Sequence, residues 1–311
     1  MSPRRTQPPE EAPDQEAVDR EQLESLQRVE RGGIPLNAER RLRELSHGAG
    51  AFTSDLSVGS FALCHQLGLT PLAQVMGSSI YQVGYAATMP TEYAGGFGGF
   101  MYELEALSEA WNEVRDRAFS RLAQEAEHVG ADAVVGVRIS SGAREFTEGA
   151  IECVVVGTAV RSSSGRHPAG TEARVGTVLT ELSVPDFAKL RQAGIETLGV
   201  VAWTSVFFVR SWQAGGLGGG MGFMQNQELT AYTRGIYEAR ETVMARVTAQ
   251  AVRVGASGVV GVQLGHSIQP AGQNGLVMSF NAIGTAIRQG AATGFGAPKT
   301  IIDLTGGATT P

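Results

Sequence analysis

Cysteine is scarce in this chain: Cys64 and Cys153 are the only two in 311 residues. No CxxC pair occurs, and no two of the five histidines stand four residues apart. The spacings that usually betray a soft-metal site are therefore missing. So few thiols also exclude a disulfide-stapled secreted scaffold and point to a reducing compartment. Basic charge is in deficit, with 25 Lys and Arg against 31 Asp and Glu for a net charge of -6, which disfavours a broad nucleic-acid or anionic-membrane surface. Long apolar runs are absent: the longest, Leu198 to Val209, spans about 12 residues, too short to cross a bilayer. The opening MSPRRTQPPEEAPDQEA has no apolar core behind its arginines, so no secretory signal is read there and a cytoplasmic protein is expected. No serine–histidine–acid order, activated cysteine or paired carboxylate can be found, and the expectation is that the protein is not an enzyme.

What the chain does have is a duplication. VGADAVVGVRI at 129–139 returns as VGASGVVGVQL at 254–264, LSVGSFA at 56–62 as LSVPDFA at 182–188, and GTAV at 157–160 as GTAI at 284–287. The offset stays close to about 125 residues, too long for a solenoid and right for a repeated domain. Each copy of roughly 110 residues is long enough for its own core.

Residues 1–19 are rich in Pro, Glu and Gln and read as disordered. Short helices are expected from about Asp19 to Arg31 and, capped by Asn37, over AERRLREL. Each repeat opens with a serine N-cap, Ser57 or Ser183, and a short helix closed by Gly68 or Gly194. A β-branched strand follows, at 71–85 and 197–212, and then a glycine-rich connector, at 94–100 and 214–223. A long amphipathic helix comes next. Its apolar stripe is Leu104, Leu107, Trp111, Val114, Ala118, Leu122, Ala126 and Val129 in copy one. In copy two it is Leu229, Tyr232, Ile236, Ala239, Val243, Val247, Ala251 and Val254. Gly130 and Gly255 end these helices, and two strands complete each unit. The predicted class is α+β: two tandem two-layer domains, each a long helix plus a short one on a small, mainly antiparallel sheet. The expected boundaries are an arm over 1–50, domains over 51–161 and 177–289, a linker over 162–176, and a flexible tail over 290–311.

The glycine-rich turn, the Ala/Val-Arg-Asp/Glu step in the long helix, GA-x-x-VVG-V and the final strand ending GTA resemble, in order and twice, the YbjQ family. The loop GQNG at 272–275 before LVMSFNAIGTAI strengthens the likeness in copy two. The resemblance implies a two-layer α+β domain and ring assembly, pentamers being known in the family. The family also carries a heavy-metal-binding label.

The repeat serves as an internal test of candidate residues. Cys64 corresponds to Leu190 and Cys153 to Phe280, so both cysteines read as core. His65 corresponds to Arg191 and His128 to Arg253. No metal site and no cofactor are expected, the alternative being a site built across subunits from Cys64 and His65. Recurrent polar residues are the interface or ligand candidates: Glu103 with Glu228, Arg115 with Arg240, and Asp116 with Glu241. The acids at 103 and 228 are placed in the first turn of the long helix, and the arginine is expected to pair with an acid across a subunit boundary. The glycine-rich loops, with Gly95, Gly96, Phe97, Gly215, Gly216 and Met221, are candidates for lining a pore or touching a neighbour. They lack the Lys-Ser/Thr of a P-loop and a GxGxxG with a downstream acid. Three readings remain: a non-catalytic, ring-forming assembly protein, a small-ligand or metal carrier with sites between subunits, and an adaptor whose N-terminal arm recruits a protein partner. A homo-oligomer is expected in the first, with no nucleic acid and no membrane span.

Overall fold

The computed structural model of the protein describes residues 15–48, 51–84, 101–144, 149–162, 176–210, 228, 230–270 and 275–289. Two helices, α1 (Gln15–Glu30) and α2 (Leu36–Ser46), precede the repeats. Repeat one comprises α3 (Val58–Gln66), β1 (Leu69–Gln82), β2 (Met101–Glu103), α4 (Glu105–His128), β3 (Ala133–Arg144) and β4 (Ala150–Ser162). Repeat two comprises β5 (Val178–Leu179), α5 (Val184–Gln192), β6 (Ile195–Arg210), α6 (Thr230–Arg253), β7 (Gly258–Pro270) and β8 (Gly275–Gln289). The arrangement is α+β, with two sheet-based halves, as the duplicated sequence predicts.

Each sheet has four strands, one more than the repeat supplies. The orders are β1-β4-β3-β5 and β2-β6-β8-β7. β5 comes from repeat two yet joins the sheet of repeat one, pairing parallel to β3. β2 comes from repeat one yet joins the sheet of repeat two, antiparallel to β6. These two short strands were not legible in the sequence, because neither has the length or alternation of a strand; only their partners make them strands.

The repeated motifs have local physical causes. In Val-Val-Gly-Val the glycines Gly136 and Gly261 take φ of +65° and +67°. There the ladder slips register, between Val135 and Arg138 and between Val260 and Gln263. Both are bulges needing a residue without Cβ strain. In Gly-Thr-Ala the glycines make room instead: a Cβ on Gly157 would lie 2.6 Å from Val134 Cγ1, and one on Gly284 2.7 Å from Val259 Cγ1.

The long-helix stripe forms the core of each half. Val114, Ala118, Leu122 and Ala126 are fully buried against β1 and β4, and Ala239, Val243 and Val247 fill the same places in repeat two. Each Leu or Val so buried contributes about 1.5–3 kcal/mol. The stripe is less complete in copy two, where Val254 is 43% exposed while its counterpart Val129 is buried. The difference lies in α1 and α2, which place Ile34 and Leu42 in the core of repeat one. Arg121 fixes this hairpin, donating to Val29 O at 2.9 Å and Gly33 O at 3.2 Å, and to Ser78 O at 2.5 Å. The N-cap of α2 is Pro35 and not Asn37, which lies inside the helix with its Oδ1 on Ala38 N.

A second shared device joins helix to sheet. Met76 N–H donates to Glu125 Oε2 at 2.9 Å, and at the matching place Ala202 N–H donates to Gln250 Oε1 at 3.1 Å. Burial raises the Glu125 pKa, opposed by the Met76 hydrogen bond and by Arg41, whose guanidinium lies 3.2 Å away. The folded state thus holds this proton more tightly than the unfolded state. Between the ordinary value of 4.5 and the raised folded value, stability falls as pH rises, and the cost persists above that window. Glu125→Gln keeps the acceptor and removes the charge, as repeat two already does. It is expected to raise the urea midpoint at pH 7, with the gain vanishing below pH 4.5; a loss of stability at pH 7 would count against this account.

Candidate functional site

The seam between the repeats is where polar and apolar chemistry converge. A strand edge leaves a row of N–H and C=O groups in need of partners. On β6 those partners come from the start of α4. Leu104 N–H donates to Val206 O at 2.7 Å, and Val206 N–H donates to Ser108 Oγ at 2.8 Å. Asn112 then serves both groups of Thr204: Oδ1 accepts from Thr204 N at 3.0 Å and Nδ2 donates to Thr204 O at 2.8 Å. Beyond these contacts β2 continues the pairing. On the other side the β3 edge is covered by residues 178–182. Val178 N donates to Asp132 O and Thr180 N to Val134 O, while the consecutive N–H groups of Gly136 and Val137 donate to Leu182 O and Thr180 O. The bulge at Gly136 is what turns two successive N–H groups the same way.

Hydroxyl–acid pairs anchor the segments leading into the short helices. Thr285 donates to Glu181 and meets the Thr180 hydroxyl at 2.9 Å. Thr158 donates to Asp55 in the same manner and meets the Ser54 hydroxyl at 3.2 Å. Glu181 is the more desolvated acid: burial raises its pKa, and its Oε1 is buried without a hydrogen-bond partner.

Between the repeats lies a cavity of about 490 Å³, bounded by Trp111 and Arg115 of α4, the middle of β3, Cys153 of β4, and sheet two from Ala202 through Asn281 to Leu264 of β7. A hollow of about 460 Å³ adjoins it and shares Trp111, Ser141 and Asn281. Arg115 is 7% exposed, and its partner among the described residues is Asp116, with Nη2 3.2 Å from Oδ1. Burial lowers the Arg115 pKa, with Asp116 opposing the shift.

The predicted residues separate into three groups. Arg115 stands at the cavity, while Asp116, its sequence neighbour, is 66% exposed in its side chain. Arg240 is 47% exposed and pairs with Glu241 at 3.5 Å. In both copies the acid paired with the arginine among the described residues is thus the adjacent one. Glu103 lies in β2 opposite Phe207, so the first-turn acid of α4 is Glu105. Glu228 precedes α6 and accepts from Thr233 Oγ1 at 2.8 Å. Gly95, Gly96, Phe97, Gly215, Gly216 and Met221 lie outside the described residues.

Ser108, Asn112 and Glu181 were missed. The acid at 55 and 181 and the threonine at 158 and 285 recur in both copies, so the repeat test could have found them. Asn112 offers no such signal, since Tyr237 replaces it.

The described residues do not fit a soft metal. Cys64 and Cys153 sit in different apolar clusters, and burial pushes each thiol up to about 11, where it is neutral and a poor ligand. His65 packs edge-on against Phe61 and His266 stacks on Phe280. Among the described residues no group of three or more His, Cys, Asp or Glu is placed to hold a metal ion. No described helix is long and apolar enough to cross a membrane.

Asn112→Ala would strip partners from Thr204 N and O at a shielded seam. A loss of about 2–4 kcal/mol is expected in urea unfolding. Proteolysis between the repeats should accelerate with it, and an unchanged midpoint would show that the seam does not depend on this side chain.

Comparison with known proteins gives one consistent answer. The YbjQ family profile, described as "Putative heavy-metal-binding", matches residues 71–163 and again 193–289. The encapsulin nanocompartment protein Rv1762c of Mycobacterium tuberculosis is 35% identical over 270 residues, covering 82% of this chain and 91% of that protein. A UPF0145 protein of Natronomonas pharaonis is 48% identical over 59 residues, 19% of this chain and 55% of its own length. Another, from Alkaliphilus metalliredigens, is 38% identical over 93 residues, 30% and 85% of the two chains. None of these names denotes a catalytic activity. With two profile matches that fall on the two structural repeats, the chain belongs to the YbjQ family as a tandem-domain member.

Proposed function

We propose that the protein is a non-catalytic assembly component that closes into a ring by repeating, between chains, the contact its own repeats make within one chain. The observation that carries this reading is that counterparts of both halves of the seam recur elsewhere in the chain, on β1 with α6 and on residues 52–56 with β7. β1 is the counterpart of β6 and is an edge strand. By alternation from Met76, whose N–H faces Glu125, the N–H groups of Ser78 and Ile80 point off the β1 edge as those of Thr204 and Val206 point off β6. Ile80 is 59% exposed beside an exposed Met76. On α6, Thr233 matches Ser108, Ile236 matches Trp111, and Tyr237, 60% exposed, matches Asn112. The Ser78 carbonyl is already taken by Arg121, so a phenol that serves only the N–H suffices there.

The second half matches as well. Residues 52–56 correspond to 178–182, and Leu56 N bonds Ser54 Oγ at 3.1 Å just as Leu182 N bonds Thr180 Oγ1 at 3.1 Å. The segment already has its docking shape. Its target, the β7 edge, carries the same bulge at Gly261; Leu264 beyond it also lines the cavity between the repeats, and Ile268 further along is exposed. A contact between two different surfaces is heterologous, and repetition of it gives a ring when the rotation closes. The nanocompartment named for the mycobacterial relative supports an assembly role, and we extend it to this chain as a component of such a particle in the cytoplasm. The carrier and adaptor readings have less behind them. The cysteines are buried, and α1 and α2 rest on repeat one.

Light scattering of the full-length protein at micromolar concentration should give a discrete multiple of the 32.7 kDa chain, and negative-stain microscopy should show closed particles. Ile80→Asp and Tyr237→Asp, one on each open face, should each yield folded monomer or short chains. A monomeric wild-type protein would sink the proposal.

A further inference from the structure

The cavity at the seam holds a charged group that the fold leaves largely unpaired. Arg115 carries five N–H donors on a planar fork. One donor reaches Asp116, a carboxylate mostly in water. Arg115 itself lines the cavity. Taking a guanidinium out of water without a close, buried counter-ion is costly, and stability alone gives no reason to keep one here.

The walls define what could complete it. Trp111, Val137, Ile139 and Ala202 give the cavity an apolar side, with the tryptophan on the same helix as the arginine, while Ser141, Thr204, Gln263 and Asn281 supply neutral polar groups. The volume of about 490 Å³ falls within the usual range for small-molecule sites. A dianionic phosphate would want more donors than this. The other lining arginine, Arg138, is engaged by Asp55 at 2.8 Å, and Glu181 on the wall disfavours high negative charge. One planar fork with an apolar surround suits one carboxylate on an apolar body.

The second copy has dismantled the same place. Arg240 lies half in water, Ile236 stands for Trp111, and Phe280 stands for Cys153. Phe280 is buried in the core of repeat two and is far larger than the thiol at the matching place in repeat one.

We propose that this cavity is a binding site, one per chain, for a small aromatic or aliphatic monocarboxylate, with Arg115 taking the carboxylate and Trp111 packing against its body.

Isothermal titration of the full-length protein with 2-naphthoate, and with 2-naphthalenemethanol as its uncharged counterpart, tests this. The carboxylate should bind at one site per chain and at least tenfold tighter than the alcohol. Arg115→Met should weaken naphthoate at least tenfold and erase the preference. Arg115→Lys, which keeps the charge without the fork, should fall between and guards against misfolding of the first variant. Cys153→Phe, which installs repeat two's own residue, should abolish binding of both probes. The proposal fails if wild-type protein ignores millimolar naphthoate, if the alcohol binds as well as the acid, or if binding survives Arg115→Met or Cys153→Phe unchanged.

Discussion

The structure depends on the need of strand edges for hydrogen-bond partners. A three-stranded sheet under one helix has two open edges, and neither repeat can close its own. Repeat one lends β2 and the first turns of α4 to β6, while repeat two lends residues 178–182 to β3. Each loan is reciprocated across the same seam, so the repeats are interlocked by backbone chemistry as well as by the apolar packing of Leu69, Val135 and Val160 on Leu182, Val184 and Phe187. The side chains involved are modest. Ser108 and Asn112 act because they stand where Val206 and Thr204 present bare backbone groups.

Much of this could be read in the sequence, and the rest could not for definable reasons. The stripe from Val114 to Ala126 announces a buried helix face through spacing alone, and Ser57 and Ser183 announce their caps. The recurrent glycines were visible as a pattern, although the bulge at Gly136 and Gly261 became clear only with the register of β3 and β7. Hidden altogether was anything that acts across the seam. Met101–Glu103 and Val178–Leu179 are strands by virtue of distant partners, and the role of Asn112 depends on Thr204, 92 residues away. Local periodicity carries no trace of such pairings.

Comparing the copies gives different answers for different chemistry. Recurrence removes the cysteines from consideration as ligands, in agreement with their burial and raised thiol pKa. Yet recurrence understates Arg115, since the same residue type is buried beside a cavity in one copy and half-exposed in the other. Residue identity was retained while environment diverged. The α1–α2 hairpin adds to that divergence by covering only the first repeat, leaving the end of α6 with exposed Val252 and Val254.

Because two repeats share one chain, the ring proposed above would start with half of its joints already made. One joint forms at the effective concentration of a tether and does not depend on dilution; the other would have to be found by diffusion. A closed ring of such chains therefore counts its repeats in twos. Five-fold rings of single repeats cannot be reproduced repeat for repeat, and two kinds of joint must alternate around the circumference. Duplication would thus give the proposed ring an even number of repeats.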